Sequence, residues 1–162
     1  MRVTLIRHGE AGDDAPRDED RSLTKKGRSD VRRVGRALAR GGVRCDAVVS
    51  SPLVRAVQTA EMIAAAIDYH GRVTVSDHLE PEAPPEGAVS LLATLETLGK
   101  KSVALVAHEP ILSGIAARLL RAGRFPALRK AEAIRLKLPE GPGAPGTFRW
   151  RIDPESGKQR RK

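Results

Sequence analysis

The sequence predicts an α/β domain whose sheet has a parallel core and ends in an antiparallel strand pair. Two observations carry this. Short apolar runs suited to buried strands alternate with segments of helical period, the pattern of strands joined through crossover helices. Near the C-terminus, two stretches of alternating polarity flank a Gly/Pro-rich connection from Gly141 to Gly146, which predicts an antiparallel edge pair with one wet face. With 162 residues and 40% hydrophobic content, the chain suits one domain with a full core. That domain is set at residues 1–155, and the polar, basic stretch 156–162 is predicted to be a disordered tail.

The elements follow in order. Val3–Ile6 reads as the first strand and Ala47–Ser50 as the second, with a short run at Val73–Val75 and a strong central candidate at Val103–Ala107. Thr24 reads as the N-cap of a helix reaching Arg40, which Gly41-Gly42 would stop. Ser51-Pro52 predicts the next helix start, a capping hydroxyl followed by proline at the first helical position. From there Leu53, Val57, Ala60, Ile63, Ala64 and Ile67 recur at helical spacing. Further helices are expected over Val89–Leu98 and Pro110–Arg121, and strands over Ala133–Leu138 and Phe148–Ile152.

Composition excludes several classes. Cys45, the single cysteine, has no intramolecular partner and reads as a small buried hydrophobe. The apolar run at the N-terminus is too short for a signal peptide or a membrane span, so a cytoplasmic protein without a membrane partner is expected. The net charge of +9 raises a polyanionic partner. Much of that charge, however, lies at Lys25, Lys26, Arg28, Arg32, Arg33, Arg36 and Arg40, interleaved with Val31, Val34 and Leu38 as on a solvated helix face. At 2% aromatics the chain lacks stacking platforms, which argues against nucleic acid as the main partner.

Ligands of open α/β sheets bind beyond the carboxyl ends of the strands, and three candidate strands each deliver a polar cluster there. The first delivers Arg7-His8-Gly9-Glu10, the second Ser50-Ser51-Pro52 with Arg55 one helical turn on, and the central one His108-Glu109-Pro110. Singly, Arg55 reads as a surface helix residue and His108 as a core histidine. Together, two guanidinium groups, two imidazoles and a helix N-terminus describe a phosphate site.

The segments Arg7-His8-Gly9-Glu10-Ala11, Leu23-Thr24 with Gly27, Ser50 to Glu61, and Val106-Ala107-His108-Glu109-Pro110 resemble the histidine phosphatase superfamily. Length and opening motif are similar to its small bacterial phosphohistidine phosphatases of the SixA type. The resemblance implies a three-layer, phosphoglycerate mutase-like fold around a mixed sheet. It also implies that His8 is the nucleophile that becomes phosphorylated, with Arg7, Arg55 and His108 holding the phosphoryl oxygens.

Elementary chemistry agrees with those roles. A histidine attacks phosphorus only when neutral, and adjacent guanidinium groups disfavour its protonation. The same cations stabilise charge on the transferring phosphoryl group. Water then hydrolyses the phosphohistidine, so neither metal nor cofactor is called for, and no ligand spacing over His8, His108 and Glu10 suggests a metal.

Larger superfamily members carry a glutamate that protonates a leaving alkoxide, and Glu80 and Glu82 qualify by position, each equally readable as an exposed loop carboxylate. A phosphoramidate leaves more readily and tolerates a missing acid. Only 52 residues separate Arg55 from His108, little for a helical lid, so an open site able to admit a phosphorylated side chain is expected. The expected activity is hydrolysis of protein-bound phosphohistidine. The alternatives are a small-molecule phosphomonoesterase or phosphoramidase with the same site, and a polyanion-binding module on a decayed phosphatase fold. Glu10 reads either as a residue that orients or balances the site or as a solvent-facing turn residue.

Overall fold

A computed structural model describes residues 1–161. Strands β1 (Arg2–Arg7), β2 (Ala47–Ser50), β3 (Val73–Val75) and β4 (Ser102–Ala107) form a parallel core in the order β3-β2-β4-β1. β5 (Ala133–Lys137) runs antiparallel to β1, β6 (Thr147–Ile152) antiparallel to β5, and β7 (Gln159–Arg160) antiparallel to β6. Helices α1 (Lys25–Arg40) and α2 (Val54–Ala66) cover one face of the sheet. Helices α3 (Pro85–Thr97) and α4 (Ile111–Leu120) cover the other. The result is the three-layer α/β fold that the sequence predicts.

β4 shows why the layers hold. Side chains alternate across a strand, so Val103, Leu105 and Ala107 enter the α3–α4 core while Ala104 and Val106 enter the α1–α2 core. All six residues of the strand are buried. Burying each large aliphatic side chain contributes about 1.5–3 kcal/mol, which is why a strand covered on both faces reads as one continuous apolar run. Among the described residues, no helix is long and apolar enough to cross a membrane.

Thr24 caps α1 as expected, its Oγ1 accepting from the Gly27 amide at 3.0 Å. The basic residues of α1 lie on its outer side; Lys26 and Arg33 clamp Asp30 between them at 2.7 and 2.8 Å. Other boundaries differ from expectation. α2 starts at Val54 rather than at Pro52; the Ser51 Oγ accepts from Leu53 N at 3.3 Å, ahead of the helix, and also lies 2.7 Å from His108 Nε2. α3 starts at Pro85, four residues before the expected Val89, where the preset φ of proline suits the first turn.

The C-terminal pair is not a bare edge pair: β5 lies between β1 and β6, and the two-residue β7 pairs with β6 at Arg151 and Ile152. Residues 156–161 are likewise not a loose tail. Gly157 N donates to Asp153 O at 2.8 Å and Asp153 N to Lys158 O at 3.0 Å, closing a turn that brings Gln159 and Arg160 against the open hydrogen-bonding edge of β6. Lys162 lies outside the described residues.

After β1 the chain turns tightly against α1. A Cβ on Gly9 would lie 2.8 Å from Val31 Cγ2, and one on Gly27 would run into the Glu10 carbonyl oxygen. The two segments meet backbone to backbone. Gly27→Ala is therefore expected to destabilise the fold by about 1–3 kcal/mol, read as a lower urea midpoint with an unchanged denaturant slope.

Candidate active site

The parallel register sets the ends of β1, β4 and β2 level with one another. Arg7 pairs with Ala107, and Ser50 with Val106. Backbone bonds extend the ladder one residue further, His8 N donating to Ala107 O at 3.0 Å and Ser51 N to Val106 O at 2.9 Å. The polar residues that follow each strand therefore emerge side by side. Arg7, His8, Arg55 and His108 converge, with the two imidazole rings 4.9 Å apart at 56°.

His8 is held in one tautomer. Its Nδ1 lies 2.7 Å from the Gly9 carbonyl oxygen, which can only accept, so Nδ1 carries the proton and Nε2 keeps its lone pair. The turn is braced in its own right: Gly9 N donates to Thr59 Oγ1 at 3.1 Å, and Thr59 Oγ1 to Arg55 O at 2.8 Å. Burial, reinforced by the charges of Arg55, Arg7 and Lys130, lowers the His8 pKa to about 4 against the opposing pull of the Gly9 carbonyl. His108 is lowered to about 3, chiefly by burial and then by His8 and Arg55. Both imidazoles are neutral at physiological pH.

The cations are placed with donors to spare. Arg7 spends NH1 on Leu128 O at 2.8 Å. Arg55 spends NH1 on Asp18 O at 2.9 Å and NH2 on Asp18 Oδ2 at 3.1 Å. Arg7 Nε, Arg55 Nε and His108 Nδ1 are buried without a hydrogen-bond partner among the described residues. Buried polar atoms are seldom left so, and two guanidinium groups with two imidazoles around one point suit a tetrahedral oxyanion.

The candidate carboxylates fare differently. Glu10 ties the turn to α1, its Oε1 accepting from Thr24 Oγ1 at 3.0 Å. Glu80 and Glu82 follow the short helical turn Asp77–Leu79 on the β3 side of the sheet. Among the described residues, neither side chain bonds to the four converging residues. His8, Arg55 and His108 are buried, at 6%, 4% and 2% exposed. Asp18 of the β1–α1 loop meets Arg55 at 3.1 Å.

Two contributions went unread in the sequence. Asp18 sits in an Asp-rich stretch, Asp13 to Asp20, that resembles any solvated loop. Lys130 belongs to the segment entering β5, whose Ala131 N donates to His8 O at 3.0 Å. The legible signal was topological: a strand antiparallel to β1 must begin where β1 ends.

The family model of the histidine phosphatase superfamily (branch 1) matches residues 3–80. Over 158 residues the chain is 32% identical to phosphohistidine phosphatase SixA of Escherichia coli (strain K12), spanning 95% of this chain and 94% of that protein. A solved structure of the protein histidine phosphatase SixA complexed with tungstate superposes with a TM-score of 0.90 at 28% identity, over 98% of this chain and 100% of that one. The alpha-ribazole phosphatase of Shigella flexneri shares the fold, with a TM-score of 0.71 at 19% identity over 92% of this chain and 95% of that one.

The depressed histidines carry a pH signature. Unfolded imidazoles take up protons near pH 6.5, whereas the folded ones wait until about 4 and about 3. Between those values the unfolded chain binds more protons, so stability from this source is complete above pH 6.5 and is lost as pH falls through the window. The slope is on the order of 1.4 kcal/mol per pH unit for each histidine. Urea unfolding at pH 5 and pH 7 should show it, and His8→Asn should remove about half of it.

Proposed function

The chain belongs to the histidine phosphatase superfamily, and we propose that it hydrolyses protein-bound phosphohistidine through a phosphohistidine formed on its own His8. The observation that carries this reading is the Nδ1–H of His8 on the Gly9 carbonyl, which leaves a neutral Nε2 with a free lone pair within the field of Arg55 and Arg7. Likeness to phosphohistidine phosphatase SixA across nearly its whole length supports the substrate class. The lone Cys45 fits action in the reducing cytoplasm.

In the first step the Nε2 lone pair attacks phosphorus, and the bond from phosphorus to the substrate imidazole nitrogen breaks with its electron pair leaving on that nitrogen. Arg7, Arg55 and His108 hold the phosphoryl oxygens, matching the charge that spreads over them. Positive charge growing on the His8 ring is met by the Gly9 carbonyl at Nδ1–H. In the second step water attacks phosphorus, Nε2 departs with the bonding pair, and phosphate is released. Asp18 is held below the ordinary carboxylate range by Arg21 and Arg55, so it is ionised and unsuited to donate a proton at neutral pH. That favours a phosphoramidate, whose leaving imidazole is a weaker base than an alkoxide and needs no strong acid.

His8→Ala should abolish both turnover and trapping of labelled phosphate on the protein, and Arg55→Ala should lower kcat/KM by about 10²–10³. Glu80→Gln and Glu82→Gln should leave phosphohistidine hydrolysis nearly intact and slow phosphoester hydrolysis more. Faster turnover of a sugar phosphate or nucleotide than of a phosphohistidine protein would assign the site to small molecules instead.

A further inference from the structure

At the opposite end of the sheet from His8, beyond the amino ends of β1 and β4, lies a cavity of about 1000 Å³. Six residues of β1 separate the two ends, a distance of about 20 Å. Its walls carry Arg2, Lys100, Lys101, Lys137 and Arg149 around Arg135, and among the described residues Glu96 is the one carboxylate that lines it. Asp46, at the start of β2, spends its Oδ2 on the backbone amides of Lys101 and Ser102 at 2.8 and 2.9 Å.

Two features make this more than a basic surface. Arg135 is 6% exposed, and its guanidinium donates to two neutral hydroxyls, Thr4 Oγ1 at 2.7 Å and Ser102 Oγ at 3.1 Å. No carboxylate pairs with it among the described residues, and a buried charge without a counter-charge is costly. Arg2 and Lys137 are register partners on adjacent strands, like charges placed directly opposite, an arrangement that destabilises a sheet. An anion in the cavity relieves both.

We propose that this cavity binds a small oligophosphate, a chain of three or more phosphates, at a site separate from the catalytic pocket. The cations are spread around a hollow larger than one phosphate requires, and a concave site of this volume suits a small molecule rather than a duplex. Among the described residues Trp150 is the one aromatic side chain that lines the cavity, set against several cations, so recognition rests on the phosphate chain.

The test is calorimetric titration of tripolyphosphate into the full chain, with excess orthophosphate present to hold the catalytic pocket. Wild type should bind at one site, more weakly as salt rises. Lys137→Glu/Arg149→Glu should weaken binding at least tenfold while turnover of a small phosphoester is unchanged. Arg135→Met supplies a second arm: tripolyphosphate should raise the melting temperature of wild type and not that of the variant. ATP in place of tripolyphosphate identifies the source, tighter binding pointing to a nucleotide and equal or weaker binding to a bare phosphate chain. Absence of binding to wild type, equal binding to the charge-reversed variant, or tighter binding of a short DNA strand than of tripolyphosphate overturns the proposal.

Discussion

Everything at the catalytic end depends on the level register of three parallel strands. β1, β4 and β2 stop together, and backbone bonds from His8 to Ala107 and from Ser51 to Val106 carry the ladder one step past the sheet. A one-residue slip of β1 would send His8 to the other face, since successive side chains alternate. The register is in turn set by burial on both faces, with β4 feeding one core at Val103 and Leu105 and the other at Ala104 and Val106. The energy that aligns a guanidinium and two imidazoles thus comes from aliphatic residues that never touch a phosphate.

Burial and charge act in the same direction on the histidines. A solvated imidazole next to arginine would still be protonated part of the time near pH 6; a dry one among Arg7, Arg55 and Lys130 is not. The cations suited to an oxyanion also keep His8 neutral. This arrangement costs stability at low pH, as expected where a site opposes the preferences of the fold.

Most of the framework is legible in the chain because it rests on local signals: apolar runs for Ala47–Ser50 and Val73–Val75, and a capping hydroxyl at Thr24. Arg7, His8 and His108 are legible because each stands at the end of an apolar run, and Arg55 because it comes one helical turn after Ser50-Ser51-Pro52. What escapes is whatever depends on a distant partner. Ser51 has every local mark of a helix cap, yet its hydroxyl, besides accepting from Leu53 N, meets His108, 57 positions away. Arg135 stands in the polar phase of an alternating strand and should face water. It is covered because β5 is an interior strand, which no periodicity within 133–138 reveals. The tail after Ser156 has a disordered composition and gains order from the free edge of β6. Asp18 is one aspartate among several until Arg55 selects it.

The Asp18 contact sets a threshold for anything entering the oxyanion pocket. Arg55 is never bare: a carboxylate tethered through the β1–α1 loop faces it at an effective concentration on the order of millimolar or more. Chloride and lone carboxylates carry one charge and offer no tetrahedral array of acceptors, so against this resident competitor they gain little. In the proposed reaction a phosphoryl group brings more charge and engages Arg7, Arg55 and both imidazoles at once. Selectivity for it over the other anions of a cell therefore arises as a difference, from what an exposed aspartate already offers, and not from attraction alone.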